Sequence, residues 1–358
     1  MATPTGNTLR YHKVDVNPSP FHSSTLLSRP PSLPIPTPTM VTIQSFPVQT
    51  VIDNNKTRFN TNNLWGSTSR PPPSDYASLL STSSTSNWIA AFHHPDTYST
   101  LSIPPRDVRW LTQAAKIGAI TASFPSLYSE ELQDAISRLS PAFPPPPNNA
   151  PGWFVRTEGV SLKYGCHGVG PYASIGPILE SLVTSTDTHA AIRIADDPSS
   201  DDPSSDNADE SSDTLSELSI FLLPWLPSLD PMMEFRVFVH AKRVVAISQQ
   251  SLYKPNSRLL SWPEGHVRDA WIRSLVSYIT AFYHSDVKPK LDEIAPYENY
   301  TFDFAFLGDD DALVPYFIEP HFSVGADYSA GSALFEWTID ADIMEGRAPE
   351  IEFRYTTT

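Results

Sequence analysis

The stretch Met233–Val239, MEFRVFV, alternates with a period of two. On a β-strand successive side chains point to opposite faces. Phe235, Val237 and Val239 therefore share one apolar face, and Glu234 and Arg236 fall on the other together with Phe238. A strand with a charged pair opposite an apolar face has either a wet outer surface or a cleft that holds something charged.

Working outward, HAKR and VVAISQQ follow at once, so that residues 234–250 read as a β-hairpin. IFLLPWL (220–226) is a strand, and FDFAFL, a GDDD turn and LVPYFIE (302–319) form a second hairpin. WFVRTEGVSLKYG (153–165) reads as strand then loop, 170–185 holds a helix, and AAIRIA (190–195) is a strand. Helices are expected over 103–120, where Pro104 and Pro105 suit the start, over 129–140 with Ser129 as N-cap, and over 268–283. The sum is an α+β fold. Residues 76–150 form its helical N-terminal part, and the chain after Trp337 reads as a polar tail.

Residues 1–75 read as a disordered Pro/Ser/Thr-rich arm, with RPPSLPIPTPT and SRPPPS of polyproline character. The segment 196–217 reads as an acidic disordered insertion. It carries nine of the acidic residues and no basic one, so the net charge of −16 falls to −7 without it. A mildly acidic globule lacks the basic footprint of a nucleic-acid binder, and anionic membranes are excluded on the same ground. The one cysteine, Cys166, is read as a small buried thiol and rules out an intramolecular disulfide. No signal-like segment or run of about 18 apolar residues occurs. A cytoplasmic protein is expected.

The second hairpin carries candidate chemistry. Asp303 sits in its outgoing strand and Glu319 ends its returning strand, each eight residues from a turn centred near Asp311. Opposed carboxylates repel unless a cation sits between them, and Mg2+ prefers such oxygen ligands together with phosphate or water. The plainer reading is a carboxylate at a strand end. Arg236 is suited to phosphate, with Glu234 fixing it or contacting ribose or metal. Arg156 and Lys163 in FVRTEGVSLK add cations, although each taken alone reads as a surface charge. Together these residues form a nucleoside triphosphate constellation. No Walker-type loop and no GxGxxG is present.

The order FVRTEGVSLK, ILESLVTS, FLLPWLPSLDPMMEFRVFVHAKRVVAISQQ, FDFAFL, FIEPHF and ALFEW resembles the cell division cycle protein 123 family, from about Trp88 to the C-terminus. The resemblance implies an ATP-grasp-like fold, two α+β lobes around a nucleotide cleft that holds Mg2+ and ATP. It also implies a role in assembling translation initiation factor 2 through its gamma subunit. By motif, Arg156 and Arg236 then face phosphate, and Lys163 matches the lysine of the family's Ser-Pro-Lys-Asp stretch. Leu223 and Trp225 belong to the segment beside the adenine, Glu234 to the Glu-Phe-Arg motif and Gln249 to Ile-Ser-Gln. Asp303, Glu319 and His321 fall on metal-ligand positions.

The chain departs from the family at three places. His321 stands where the family has an asparagine or similar ligand, Tyr164 replaces the aspartate, and Pro224 replaces an arginine. Two other readings stand beside the chaperone: an ATP-grasp carboxylate–amine ligase, and a nucleotide-free interaction scaffold.

Overall fold

A computed structural model describes residues 40–57, 74–147, 150–188, 216–309, 312–325, 328, 331–337 and 339–358. The acidic insertion, except for Ser216 and Glu217, and the strand expected over 190–195 lie outside the described residues, as do residues 1–39 and 58–73. All described residues belong to one compact unit, Pro36–Thr358.

The fold is mixed α+β and has two sheets. The larger contains β1 (Val41–Pro47), β5 (Leu229–His240), β6 (Arg243–Gln249), β7 (Tyr300–Leu307), β8 (Val314–His321) and β9 (Ile351–Thr357), in the order β1-β9-β6-β5-β7-β8. The smaller is β2 (Ser99–Ile103), β4 (Leu218–Pro224) and β3 (Trp153–Arg156), in the order β2-β4-β3. The pairs β1–β9 and β6–β9 are parallel and the rest antiparallel.

β5 behaves as its alternation requires. Phe235, Val237 and Val239 enter the main core together with Phe302, Phe304 and Phe306 of β7. The helices Thr85–Phe92, His266–Phe282 and Lys288–Ile294 cover that side. Phe238 points to the opposite face, into a smaller core with Phe335 and Trp337. Burying each such side chain contributes about 1.5–3 kcal/mol. β4 is apolar along its length because both its faces are covered. Phe221 and Leu223 join the main core, whereas Leu218, Ile220 and Leu222 join a second core under the helices Pro105–Thr121, Ser129–Leu139 and Ile175–Thr184.

The hairpin turn between β5 and β6 is Ala241-Lys242, both at positive φ (48° and 57°). Such a turn favours Asn-Gly. Here the neighbouring chain supports it: Ala241 N–H donates to Asn299 Oδ1 and Lys242 N–H to the Glu298 carbonyl, each at 2.9 Å.

Three expectations are corrected. Residues 41–47, assigned to the arm, are a strand, followed by the helix Val48–Thr57, with Val41 and Val51 buried. Their parallel partner β9 lies about 300 residues away, so nothing local shows the pairing. Ile351–Thr357, within the expected polar tail, is an interior strand of the larger sheet. Ile351, Phe353 and Tyr355 fill the main core, and on its other face Arg354 binds Glu352 and Asp340. Ser129 is not the N-cap. It is the first helical residue, Tyr128 holds the cap position, and the Ser129 hydroxyl donates to the Ser126 carbonyl at 2.7 Å.

Among the described residues no helix is long and apolar enough to cross a membrane.

Candidate functional site

The face of β5 opposite Phe235 carries Glu234 and Arg236. In the β5–β7 register Arg236 lies across from Asp303, and in the β7–β8 register Asp303 lies across from Glu319. That last pairing depends on a bulge. Phe304 pairs with Phe317 but Asp303 pairs with Glu319, so Ile318 is the extra residue. A regular ladder would have set Asp303 against Ile318 and left Glu319 on the phenylalanine face, since one residue of slip reverses every side chain.

Arg236 holds Asp303 through two parallel contacts, Nε to Oδ1 and Nη2 to Oδ2, each 2.7 Å. Its Nη1 donates to the Gly331 carbonyl at 2.6 Å. Gln250 Nε2 donates to the same Asp303 Oδ2 at 2.6 Å. His321 Nε2 lies 3.2 Å from Arg236 Nη2 and 3.6 Å from both Asp303 Oδ2 and Glu319 Oε1. Asp303, Glu319 and His321 each bring one ligand atom to within 4.8 Å of the others.

Arg156 enters from the smaller sheet. It is buried, donates from Nη2 to Glu319 Oε2 at 2.6 Å and from Nε to Thr85 Oγ1 at 2.9 Å, and lies over the Trp88 ring at 4.8 Å. The cluster therefore lies where β3 meets β8, between the two sheets.

The charges set the protonation states. Burial, then the negative charges of Asp303 and Glu319, push Glu234 up to about 7, against the opposing pull of Lys163 and Arg236. Asp303 moves the other way. Burial opposes its ionisation, but the paired Arg236 outweighs that and holds the carboxyl well below the usual range. Glu319 is likewise lowered: burial opposes, and Arg156 followed by His321 prevail. The site thus holds two firmly ionised carboxylates and a third poised near neutrality.

Of the residues singled out in the sequence, Arg156, Arg236, Asp303, Glu319 and His321 come together through direct contacts. Glu234 and Lys163 join them electrostatically, Lys163 from an exposed loop. Leu223 is buried in the main core, and Trp225 is half-buried, its backbone N–H donating to the Gly152 carbonyl at 3.0 Å. Gln249 does not join the cluster. It lies across from Phe235 rather than Arg236, and its buried amide donates to the Ser251 and Lys254 carbonyls and to Thr356 Oγ1, while its carbonyl oxygen accepts from Thr356 N–H. The residue that reaches the carboxylate is its neighbour Gln250. The doubled glutamine in ISQQ is the signal that could have suggested it. Nothing local marks Thr85 as the partner of Arg156.

The fold and this cluster define a mixed α+β protein with a charged site between two sheets. Residues 186–357, nearly half of the chain, match the model of the D123 family. This is the family that the motif order resembles. The chain is also similar to two solved structures of Cdc123 from Schizosaccharomyces pombe. With the C-terminally truncated form it shares 18% identity, covering 78% of this chain and 97% of that one, at a TM-score of 0.47. With the other form the identity is 17%, the coverage 78% and 97%, and the TM-score 0.46. No curated protein matches the chain.

Proposed function

We propose that the chain is a Mg2+- and ATP-binding assembly chaperone for the translation initiation factor 2 complex, acting through its gamma subunit, on an ATP-grasp-like frame. The match of residues 186–357 to the D123 family supports an assembly role in general terms. The observation that carries the nucleotide reading is the meeting of Arg156 from one sheet with Arg236, Asp303, Glu319 and His321 from the other. A site with anchored arginines beside paired carboxylates suits a polyphosphate and its counter-ion.

The donor set fits magnesium in part. Two carboxylates are the oxygen ligands that a hard cation takes, and imidazole is a poor one. Asp303 and Glu319 would hold the ion, with His321 as their hydrogen-bonding neighbour. Arg156, Arg236 and Lys163 would meet phosphate oxygens, and Leu223 and Trp225 would border the base. Bound magnesium supplies charge neutralisation on the phosphates. A cation nearby would also favour the ionised form of Glu234.

One observation favours a nucleotide-free scaffold as second reading. Asp303 and Glu319 already have arginine partners, so the pair is electrostatically satisfied without a metal.

Calorimetric titration of ATP with and without Mg2+ into the full chain separates the two, alongside Lys163→Ala and Asp303→Asn variants checked for folding by circular dichroism. The chaperone reading expects magnesium-dependent binding that both variants weaken, and recovery of the initiation factor gamma subunit in a pull-down. Wild-type protein that binds no nucleotide would hand the site to the scaffold reading.

A further inference from the structure

A second constellation shares no residue with the cluster of Arg156, Arg236, Asp303, Glu319 and His321. Cys166 and His167 are consecutive on the loop after β3, and Glu180 is on the helix Ile175–Thr184. One ligand atom from each lies within 4.8 Å of the others, and His167 Nε2 contacts Glu180 Oε2. Cys166 is exposed, which corrects its reading as a buried thiol. His167 and Glu180 are 39% and 32% exposed, so all three groups are open to solvent and free to adjust.

The backbone holds these groups together. Gly165 lies so close to the helix that a Cβ would stand 2.5 Å from Ser181 Cβ and 2.7 Å from its Cα, so only glycine fits there. Cys166 N–H donates to Thr184 Oγ1 at 2.8 Å, and that hydroxyl donates to the Glu180 carbonyl at 2.8 Å. The buried Tyr172 hydroxyl donates to the Gly168 carbonyl at 2.5 Å, tying down the far side of the turn. A loop tied to the helix at Cys166, and held beyond the Cys-His pair by Tyr172, whose hydroxyl also lies 3.0 Å from Ser181 Oγ of that helix, is more than an exposed ion pair needs.

We propose that Cys166, His167 and Glu180 form a binding site for a divalent cation of the zinc class, with one coordination position left to water or an external ligand. Thiolate, imidazole and carboxylate are the three donor types zinc takes, and three protein ligands with one open position is its common arrangement in non-structural sites. The sulfur excludes magnesium and calcium as the matching ions. On binding, the thiol gives its proton to solvent and the sulfur donates a lone pair to the ion. His167 binds as neutral imidazole through Nε2, and Glu180 exchanges its contact with His167 for one with the metal. Lys163 stands three residues before Cys166 on the same loop.

The test is titration of the untagged full chain with Co2+ alone, followed by absorption. Cys166 is the sole cysteine of the chain, so a sulfur-to-cobalt charge-transfer band reports this site and no other. The expected result is a band saturating at one equivalent and displaced by Zn2+. It is abolished in Cys166→Ser, and His167→Ala and Glu180→Gln each weaken affinity roughly tenfold or more, since even outer-shell partners cost about that much. Absence of the band overturns the proposal. So does unchanged affinity in His167→Ala and Glu180→Gln, which would mean the thiol binds alone, and so does one metal per two chains, which would mean a bridge between copies. Circular dichroism of the variants excludes misfolding as the cause of a loss.

Discussion

Arg156 of β3 and Glu319 of β8 join the two sheets through a 2.6 Å contact, with the guanidinium almost fully buried and the carboxylate 22% exposed. No other group in the cluster bridges from the smaller sheet by a direct hydrogen bond among the described residues. The pair is therefore a structural tie between the sheets and, at the same time, part of the candidate site.

Arg156→Ala is expected to destabilise the fold by about 3 kcal/mol, because removing one partner of a buried ion pair leaves the other uncompensated. Glu319→Gln keeps a hydrogen-bond acceptor but leaves the more deeply buried guanidinium without its counter-charge, and should cost about as much. Urea unfolding midpoints of the two variants test the pairing. A much smaller cost for Glu319→Gln than for Arg156→Ala would mean that the arginine acts through packing on Trp88 instead.

Glu234→Gln should change the pH dependence of stability. The folded carboxyl titrates at about 7, above its ordinary value of 4.5, so the folded state binds its proton more tightly than the unfolded chain. That contribution is fully present below about pH 4.5 and is lost as pH rises through 7. The amide variant carries no charge at any pH. It should match the wild type near pH 4 and exceed it by about 2 kcal/mol at pH 8, after allowance for partial solvent screening. Unfolding curves at the two pH values decide it, and a pH-independent difference would remove the assigned cause.

Asp303 has the opposite sign. Its folded carboxyl lies below the ordinary range because Arg236 overcomes the cost of burial. Its stabilising contribution is present above the unfolded value near 3.9 and is lost as pH falls below that. Asp303→Asn should be less stable than the wild type at pH 7, and the difference should shrink on acidification toward pH 2. A constant difference across that range would contradict the pairing.

The two adjacent glutamines should separate. Gln249→Ala removes a buried amide from the Ser251 and Lys254 carbonyls and from Thr356, at a cost of about 1–3 kcal/mol. Gln250→Ala should leave the unfolding midpoint within about 0.5–1 kcal/mol of the wild type, while weakening Mg2+-dependent ATP binding by calorimetry. A structural cost equal to that of Gln249→Ala would detach Gln250 from the site.

The C-terminal strand contrasts with the polar composition around it. Phe353 is fully buried among Phe235 and Tyr355, and Phe353→Ala should cost about 3–5 kcal/mol. Truncation before Ile351 should prevent folding, as judged by loss of cooperative thermal unfolding, since it opens the larger sheet between β1 and β6.

What was legible in the sequence, and what was not, divides along the range of the forces involved. The amino-acid sequence alone determined the α+β class, the two hairpins and the face assignments of β5, because period-two alternation and turn residues act over a few positions. It also marked the charged residues that meet between the two sheets. Tertiary structure alone decided that Val41–Pro47 and Ile351–Thr357 pair with each other in the larger sheet, since each finds its partner far away in the chain; the alternation of Ile351, Phe353 and Tyr355 with Glu352 and Arg354 was a local strand signal that the reading as a polar tail passed over. It decided that Glu319 faces Asp303, through one extra residue at Ile318, and that Gln250 rather than Gln249 reaches the carboxylate. It also decided which cations neutralise the pair. The repulsion between two carboxylates is visible in their spacing, but the arginines that answer it arrive from other strands, and only the packing of one sheet on the other brings Arg156 to Glu319.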